Sequence, residues 1–215
     1  MRNPDKVLRH TPTERAVHWI AAVSGILLLF SGFGEMPMYK RYLLTDIPGL
    51  AWSGDYGIQL IIHYIAGAVF AGVALFHGVY HWRKREFAIL PQRGDIKESA
   101  QILWAILRGQ PEPAHGKFLA EQRLAYAAIA GVSFLLIVTG LIKTYKNTGP
   151  VVLDPLFLNL VTYTHTLATM LFLLLFLAHL GAFIIKANRP LLWSMFTGYT
   201  DREYAEERHG HWKVD

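Results

Sequence analysis

Six histidines, His18, His63, His77, His81, His165 and His179, lie in stretches that contain no Asp, Glu, Lys or Arg. Ionisable groups in such apolar surroundings are costly to keep and are usually functional. His165 and His179 stand 14 residues apart, which along a helix is about 21 Å of rise and a rotation of roughly 40°, so both leave nearly one face at two depths. His63 and His77 repeat that separation. Imidazoles at two levels are the ligands that two stacked metal centres need. Haem suits them: neutral imidazole is a good axial ligand, two imidazoles saturate the iron for electron transfer, and the macrocycle is apolar enough to sit between helices. Zinc suits them poorly, because no three or four ligands share one depth. With no cysteine, the chain can hold no disulfide, thiolate metal site, covalent c-type haem or iron–sulfur cluster.

The elements that must position these residues follow from where the 53 % hydrophobic residues fall. They concentrate in residues 16–33, 56–82, 124–142 and 155–185, each long enough to cross hydrocarbon as a helix of roughly 20 residues. The fold class is therefore all-α: a four-helix transmembrane bundle with a short amphipathic helix in the inner loop. One integral-membrane domain covers residues 1–215, with spans at about 15–35, 57–82, 122–143 and 156–186 and a charged cytoplasmic tail over 187–215. Thr11-Pro12-Thr13-Glu14 reads as the start of the first helix, with Thr11 as N-cap, Pro12 at the first helical position and Glu14 closing a capping box. No small-residue cleavage site follows the first stretch, so it is read as a retained span and not as a signal peptide.

In the inner loop, after Pro91 and Gly94, the positions Ile96, Ile102, Leu103, Ile106 and Leu107 alternate with Lys97, Glu98, Gln101 and Arg108 and end at Gly109. That spacing predicts a short amphipathic helix, lying on the inner membrane surface, docked on a partner, or packed back on the bundle. With both termini inside, 17 of the 21 Lys and Arg lie on the inner side, the bias of a multi-pass protein of the cell inner membrane with both termini cytoplasmic. The net charge of +5 then reflects topology and anionic lipids, and nothing in it points to nucleic acid.

Topology assigns depth. His18 follows Arg15 by three residues, His179 precedes Lys186 by seven and His77 precedes Arg83 by six, so all three lie near the inner face. His63 and His165 lie near the outer face and are the expected ligands of an outer haem. At the inner haem, His179 has two possible partners, His18 or His77, and spacing alone leans to His77. His81, beside Trp82 and Arg83, is expected to be interfacial and solvated, and His10, His115, His209 and His211 to be surface residues. Gly67, Thr169 and Gly181, close after His63, His165 and His179, are small enough to let a flat macrocycle approach, although small residues also serve plain helix packing.

With these residues assembled, the chain resembles the cytochrome b, or gamma, subunit of membrane-bound formate dehydrogenase, and more distantly that of quinone-linked nickel–iron hydrogenase. The likeness covers nearly the whole chain. It rests on Arg15-Ala16-Val17-His18-Trp19, His63-Tyr64-Ile65-Ala66-Gly67, Val138-Thr139-Gly140, the His165/His179 pair and the inner-loop helix ending Leu107-Arg108-Gly109. The resemblance implies two haem b groups, the inner one held by His18 and His179 and the outer one by His63 and His165. It also implies partners: a periplasmic molybdenum or tungsten catalytic subunit that oxidises formate, and an iron–sulfur subunit that passes electrons to the outer haem. A quinone, menaquinone or ubiquinone, would be reduced beside the inner haem, so the chain is an electron-transfer subunit.

One segment departs from the family pattern. In Lys117-Phe118-Leu119-Ala120-Glu121-Gln122-Arg123, Leu119 replaces an expected Asn, and leucine cannot donate a hydrogen bond to a quinone oxygen. Glu121, Gln122 and His179 are therefore the candidate quinone contacts, with His77 and His81 as substitutes. Three other readings stay open: the same cytochrome serving a hydrogenase or other oxidoreductase; a haem-free membrane anchor or transporter whose histidines relay protons; and ligation from two helices alone, with His63 and His77 facing His165 and His179.

Overall fold

The computed structural model describes residues 4–41, 44–110 and 115–212; the side chains of Lys40 and Ile106, the latter one of the apolar positions of the expected inner-loop helix, lie outside that description. In chain order the elements are β1 (Lys6–Leu8), α1 (Pro12–Gly34), α2 (Pro37–Arg41), α3 (Tyr56–Lys84), α4 (Asp95–Arg108), α5 (Ala120–Thr148), α6 (Pro155–Gly181), α7 (Arg189–Thr197), β2 (Tyr199–Asp201) and α8 (Arg202–Arg208).

Four of these, α1, α3, α5 and α6 with the turns that prolong it to Ile184, are long and apolar enough to cross a membrane. Ile65, Leu75, Phe134 and Leu167 are each more than 60 % exposed on them, a surface that suits lipid tails and not water. The four expected spans are thus present, each within a few residues of its expected ends. α5 runs furthest beyond, through Lys143 and Lys146 to Thr148. A lysine does not end a helix, but Gly149-Pro150 does. The start of α1 is the expected capping box: the Thr11 N–H donates to Glu14 Oε2 at 2.6 Å and the Glu14 N–H to Thr11 Oγ1 at 3.3 Å.

The chain divides into two compact bodies. The first comprises residues 16–80 and 134–173 and packs segments of the four long helices. At Gly25 the absent side chain admits Phe70 of α3 and Phe172 of α6, whose rings would stand 3.6 and 3.7 Å from a Cβ there. Nearer the end of α1, a Cβ on Gly34 would lie only 2.5 Å from Gln59 Cδ, so glycine is what lets α1 and α3 close. Gln59, fully buried, donates from Nε2 to the Ser53 carbonyl at 2.7 Å. Ser53 Oγ in turn lies 2.8 Å from the Tyr39 hydroxyl. A buried polar network thereby ties Tyr39 and Ser53, in the connection between the first two spans, to Gln59 of α3.

The second body comprises residues 1–15, 81–133 and 174–215. Here β1 pairs antiparallel with β2, Val7 opposite Thr200, joining the two ends of the chain. Gly198 makes the turn into β2 at φ +90°, and a Cβ there would meet the His10 carbonyl at 2.8 Å; its own carbonyl accepts the N–H groups of Arg9 and His10. α4 matches the expected amphipathic helix. Asp95, Ile102 and Ala105 are buried while Ile96, Leu103, Trp104 and Leu107 face outward, so one side packs back and the other stays open. The docking is fixed by a buried, bidentate ion pair, Arg123 Nε to Asp95 Oδ2 at 2.9 Å and Nη2 to Oδ1 at 2.6 Å.

The charged tail after residue 187 carries α7, β2 and α8, with β2 paired to β1 near the amino terminus. One expectation is corrected in this body. His115 and His209, expected at the surface, are buried at 1 % and 0 % exposure. His209 Nδ1–H donates to the Gly116 carbonyl at 2.7 Å, Arg9 Nη1 lies 3.5 Å from its Nε2, and Arg9 Nη2 donates to the Lys117 carbonyl. Such long-range polar partners leave no periodic trace in a sequence.

Candidate functional site

The first body brings together the two histidines expected at the outer haem. His63 projects from α3 and His165 from α6, with ring centroids 6.3 Å apart and planes inclined at 66°. Two imidazoles on opposite faces of one metal ion, each nitrogen about 2.0 Å from it and each ring centre about 1 Å further out, stand roughly 6 Å apart. The observed spacing would let both rings hold one metal ion.

Each ring is held from the neighbouring helix by a hydroxyl. Ser31 Oγ of α1 lies 2.9 Å from His63 Nδ1, and Thr139 Oγ1 of α5 lies 2.8 Å from His165 Nδ1. A glycine follows each hydroxyl residue: a Cβ on Gly32 would stand 3.4 Å from His63 Cε1, and one on Gly140 would stand 3.5 Å from His165 Cε1. Nδ1 is thereby engaged at both rings, and Nε2 is the nitrogen available to a metal. This donor set, two neutral imidazoles and no carboxylate or thiolate, is the one haem iron takes in electron-transfer proteins. Sequence reasoning missed Ser31 and Gly32 and assigned no role to Thr139 and Gly140. The one signal that could have found them is the Ser/Thr-Gly dipeptide repeated in α1 and α5.

Thr169, expected to be small beside the macrocycle, donates its hydroxyl to the His165 carbonyl at 2.9 Å. Near the same end, burial raises the Glu35 carboxyl above its ordinary range, and the charge of Lys143 opposes the rise. His18 and His77 belong to the same body as this pair, and His179 to the other. His18 meets Trp19 edge-on at 5.2 Å and His179 meets Phe183 at 6.1 Å.

In the second body the expected quinone segment opens α5. Gln122 Oε1 accepts the Leu119 N–H at 3.1 Å, the N3-to-N-cap half of a capping box, so its amide NH2 is the donor left for other use. Leu119 is fully buried. Beside this segment lies a cavity of about 290 Å³ lined by Gln92, Glu98, His115, Lys117, Arg123 and His211 among others. Burial lowers the Lys117 ammonium below its usual value. His81 is paired with Glu86 at 3.2 Å, and with Glu14 these residues place three possible ligand atoms within 4.8 Å of one another, a cluster the sequence did not reveal.

Four apolar helices around a facing imidazole pair define a multi-pass membrane protein with the donors of a b-type cytochrome. Residues 9–198 match the prokaryotic cytochrome b561 family, and the chain belongs to that family. It is 22 % identical over 213 residues, 99 % of this chain and 94 % of the relative, to the formate dehydrogenase cytochrome b556(fdo) subunit of Escherichia coli K12. The proteins of the same name from the Escherichia coli strains O6:H1 and O157:H7 match to the same extent. The resemblance to the formate dehydrogenase cytochrome b subunit is borne out.

Proposed function

We propose that this chain is the membrane-anchoring, dihaem cytochrome b subunit of a respiratory formate dehydrogenase. In this reading it sits in the cell inner membrane with both termini cytoplasmic, takes electrons from an iron–sulfur subunit at the periplasmic face, and delivers them to a menaquinone or ubiquinone near the cytoplasmic face. A molybdenum or tungsten subunit of the same complex oxidises formate. The observation that carries the proposal is the His63/His165 pair, 6.3 Å apart between two membrane-spanning helices with both Nδ1 atoms hydrogen-bonded. The named relatives support the choice of dehydrogenase.

Haem b, once bound, supplies a one-electron carrier in the low-dielectric interior of the bundle. The chain's own residues do the rest. His63 and His165 hold the outer group. His18 and His179 hold the inner one, a pairing carried by the family resemblance, with His77 as the competing partner that spacing favours. His179, Glu121 and the amide NH2 of Gln122 face the quinone and its protons, because Leu119 can contribute no hydrogen bond.

The test is a pyridine haemochrome count with reduced-minus-oxidised spectra on the detergent-purified chain and on His63→Ala, His18→Ala and His77→Ala. Two haems in the wild type, one in His63→Ala, one in His18→Ala and two in His77→Ala are expected. A wild type with no haem overturns the electron-transfer reading, and loss in His77→Ala instead of His18→Ala moves the inner ligand to His77. Formate-dependent reduction of the haems in the purified complex checks the donor; failure with formate and success with hydrogen would reassign the chain to a hydrogenase.

A further inference from the structure

The geometry points to Ser31 and Thr139 as paired positioning residues that fix His63 and His165 in the Nδ1–H tautomer and bias the outer iron toward its oxidised state. The inference rests on the proposed ligand role of the two histidines and deepens it.

Ser31 and Thr139 are buried, and each hydroxyl has a single hydrogen to place. Ser31 Oγ lies 2.7 Å from the Leu27 carbonyl oxygen and Thr139 Oγ1 lies 2.7 Å from the Leu135 carbonyl oxygen. Two oxygens at that distance need a hydrogen between them, and a carbonyl has none to give. Each hydroxyl therefore donates back along its own helix and can only accept from the imidazole. His63 and His165 must then carry their proton on Nδ1, at 2.9 and 2.8 Å from those oxygens. In a neutral imidazole this leaves the lone pair on Nε2.

The arrangement is made twice from the same parts. A hydroxyl residue grips Nδ1, and the glycine after it, Gly32 or Gly140, lets the helix backbone lie against Cε1 of the same ring. α1 supports the ligand from α3, and α5 supports the ligand from α6. Because both ligands of the pair are held alike, neither ring can turn to offer its other nitrogen without breaking a buried hydrogen bond.

An acceptor on Nδ1–H makes the imidazole a stronger donor to the metal and favours the higher oxidation state. A neutral hydroxyl already engaged with a carbonyl does this less than a carboxylate would. Removing either acceptor shifts the outer haem toward reduction, and removing both shifts it further, because the two act through different ligands of one iron.

The experiment is a spectroelectrochemical titration of the holoprotein as wild type, Ser31→Ala, Thr139→Val, the double variant, and the hydroxyl-keeping controls Ser31→Thr and Thr139→Ser. At fixed ambient potential the ferric-to-ferrous ratio of the outer haem should fall several-fold in each hydroxyl-free variant and more in the double. For a one-electron couple a tenfold fall is 59 mV. The inner haem should not move, and Thr139→Ser should titrate as the wild type. If Thr139→Val loses the haem, retention at the wild-type potential in Thr139→Ser still supports the hydroxyl. An unchanged outer potential in the double variant, or a Thr139→Ser that behaves as Thr139→Val, overturns the inference. The ligand assignment fails separately: that result is His63→Ala retaining both haems.

Discussion

Replacing Gly34 by alanine should loosen the packing of α1 against α3, and the structure sets the size of the effect. The new methyl would lie 2.5 Å from Gln59 Cδ, 2.6 Å from Nε2 and 2.9 Å from Cγ, so the buried Gln59 side chain must move. Such overpacking costs about 1–3 kcal/mol. Movement also breaks the 2.7 Å bond from Gln59 Nε2 to the Ser53 carbonyl, and leaving buried polar groups unpaired costs about 1–3 kcal/mol more. A loss of roughly 3 kcal/mol follows, read as a lower midpoint for unfolding by SDS in mixed micelles. Gln59→Ala makes room for the methyl, so Gly34→Ala/Gln59→Ala should be less destabilised than the two single changes added together, by about 1 kcal/mol or more. Gln59 lies one turn before His63 on the same face of α3, so on the proposed ligation Gly34→Ala should also lower the occupancy of the haem held by His63 before that of the other. Wild-type stability in Gly34→Ala, or simple additivity in the double variant, would refute the reasoning.

Asp95→Asn should destabilise the chain by about 2 kcal/mol, because it removes the charge of the closer of the two carboxylates on the buried Arg123 guanidinium and leaves Glu98, 3.5 Å from Nη2, as the remaining ion pair; the SDS unfolding midpoint reads this, and a change below about 0.5 kcal/mol would count against it. The Arg123 hydrogen bonds, with the Gln92 N–H, hold the Asp95 carboxyl below the ordinary carboxylate value, so its contribution is present near neutrality and is lost as pH falls through that lowered value. His209 governs a higher window. Burial, with Arg9 beside it, lowers its imidazole to about 4. A lowered histidine stabilises fully above its unfolded value of about 6.5 and loses that contribution as pH falls toward 4. Between pH 7 and 4.5 the wild type should lose roughly 2 kcal/mol that His209→Gln, which has nothing to protonate, does not lose.

The spans, the start of α1 and the amphipathic α4 were legible in the sequence because each rests on a local or periodic signal. Uncharged runs of helix length need lipid whatever they pack against, Thr11 and Glu14 are three residues apart, and Gly149-Pro150 stops a helix wherever it falls. Lys143 bounded the expected third span, whereas α5 itself runs on to Thr148 because a lysine does not end a helix. The meeting of His63 with His165 was legible too, since the depths expected from the flanking lysines and arginines left only these two at one level, and their rings stand 6.3 Å apart.

What the sequence by itself determined, then, is which residues enter the membrane and which histidines go with them, for hydropathy and charge act on each segment alone. Only the tertiary structure decided what holds those histidines. Ser31 lies 32 positions before His63 and Thr139 lies 26 before His165. No helical period links such partners, and a hydrogen bond across a helix interface depends on the two backbones closing to within a few ångströms. The same holds for the buried tail: Arg9 reaches His209 across 200 positions, because the pairing of β1 with β2 joins the chain's ends and the charges near them find buried partners that charge alone would have sent to the surface.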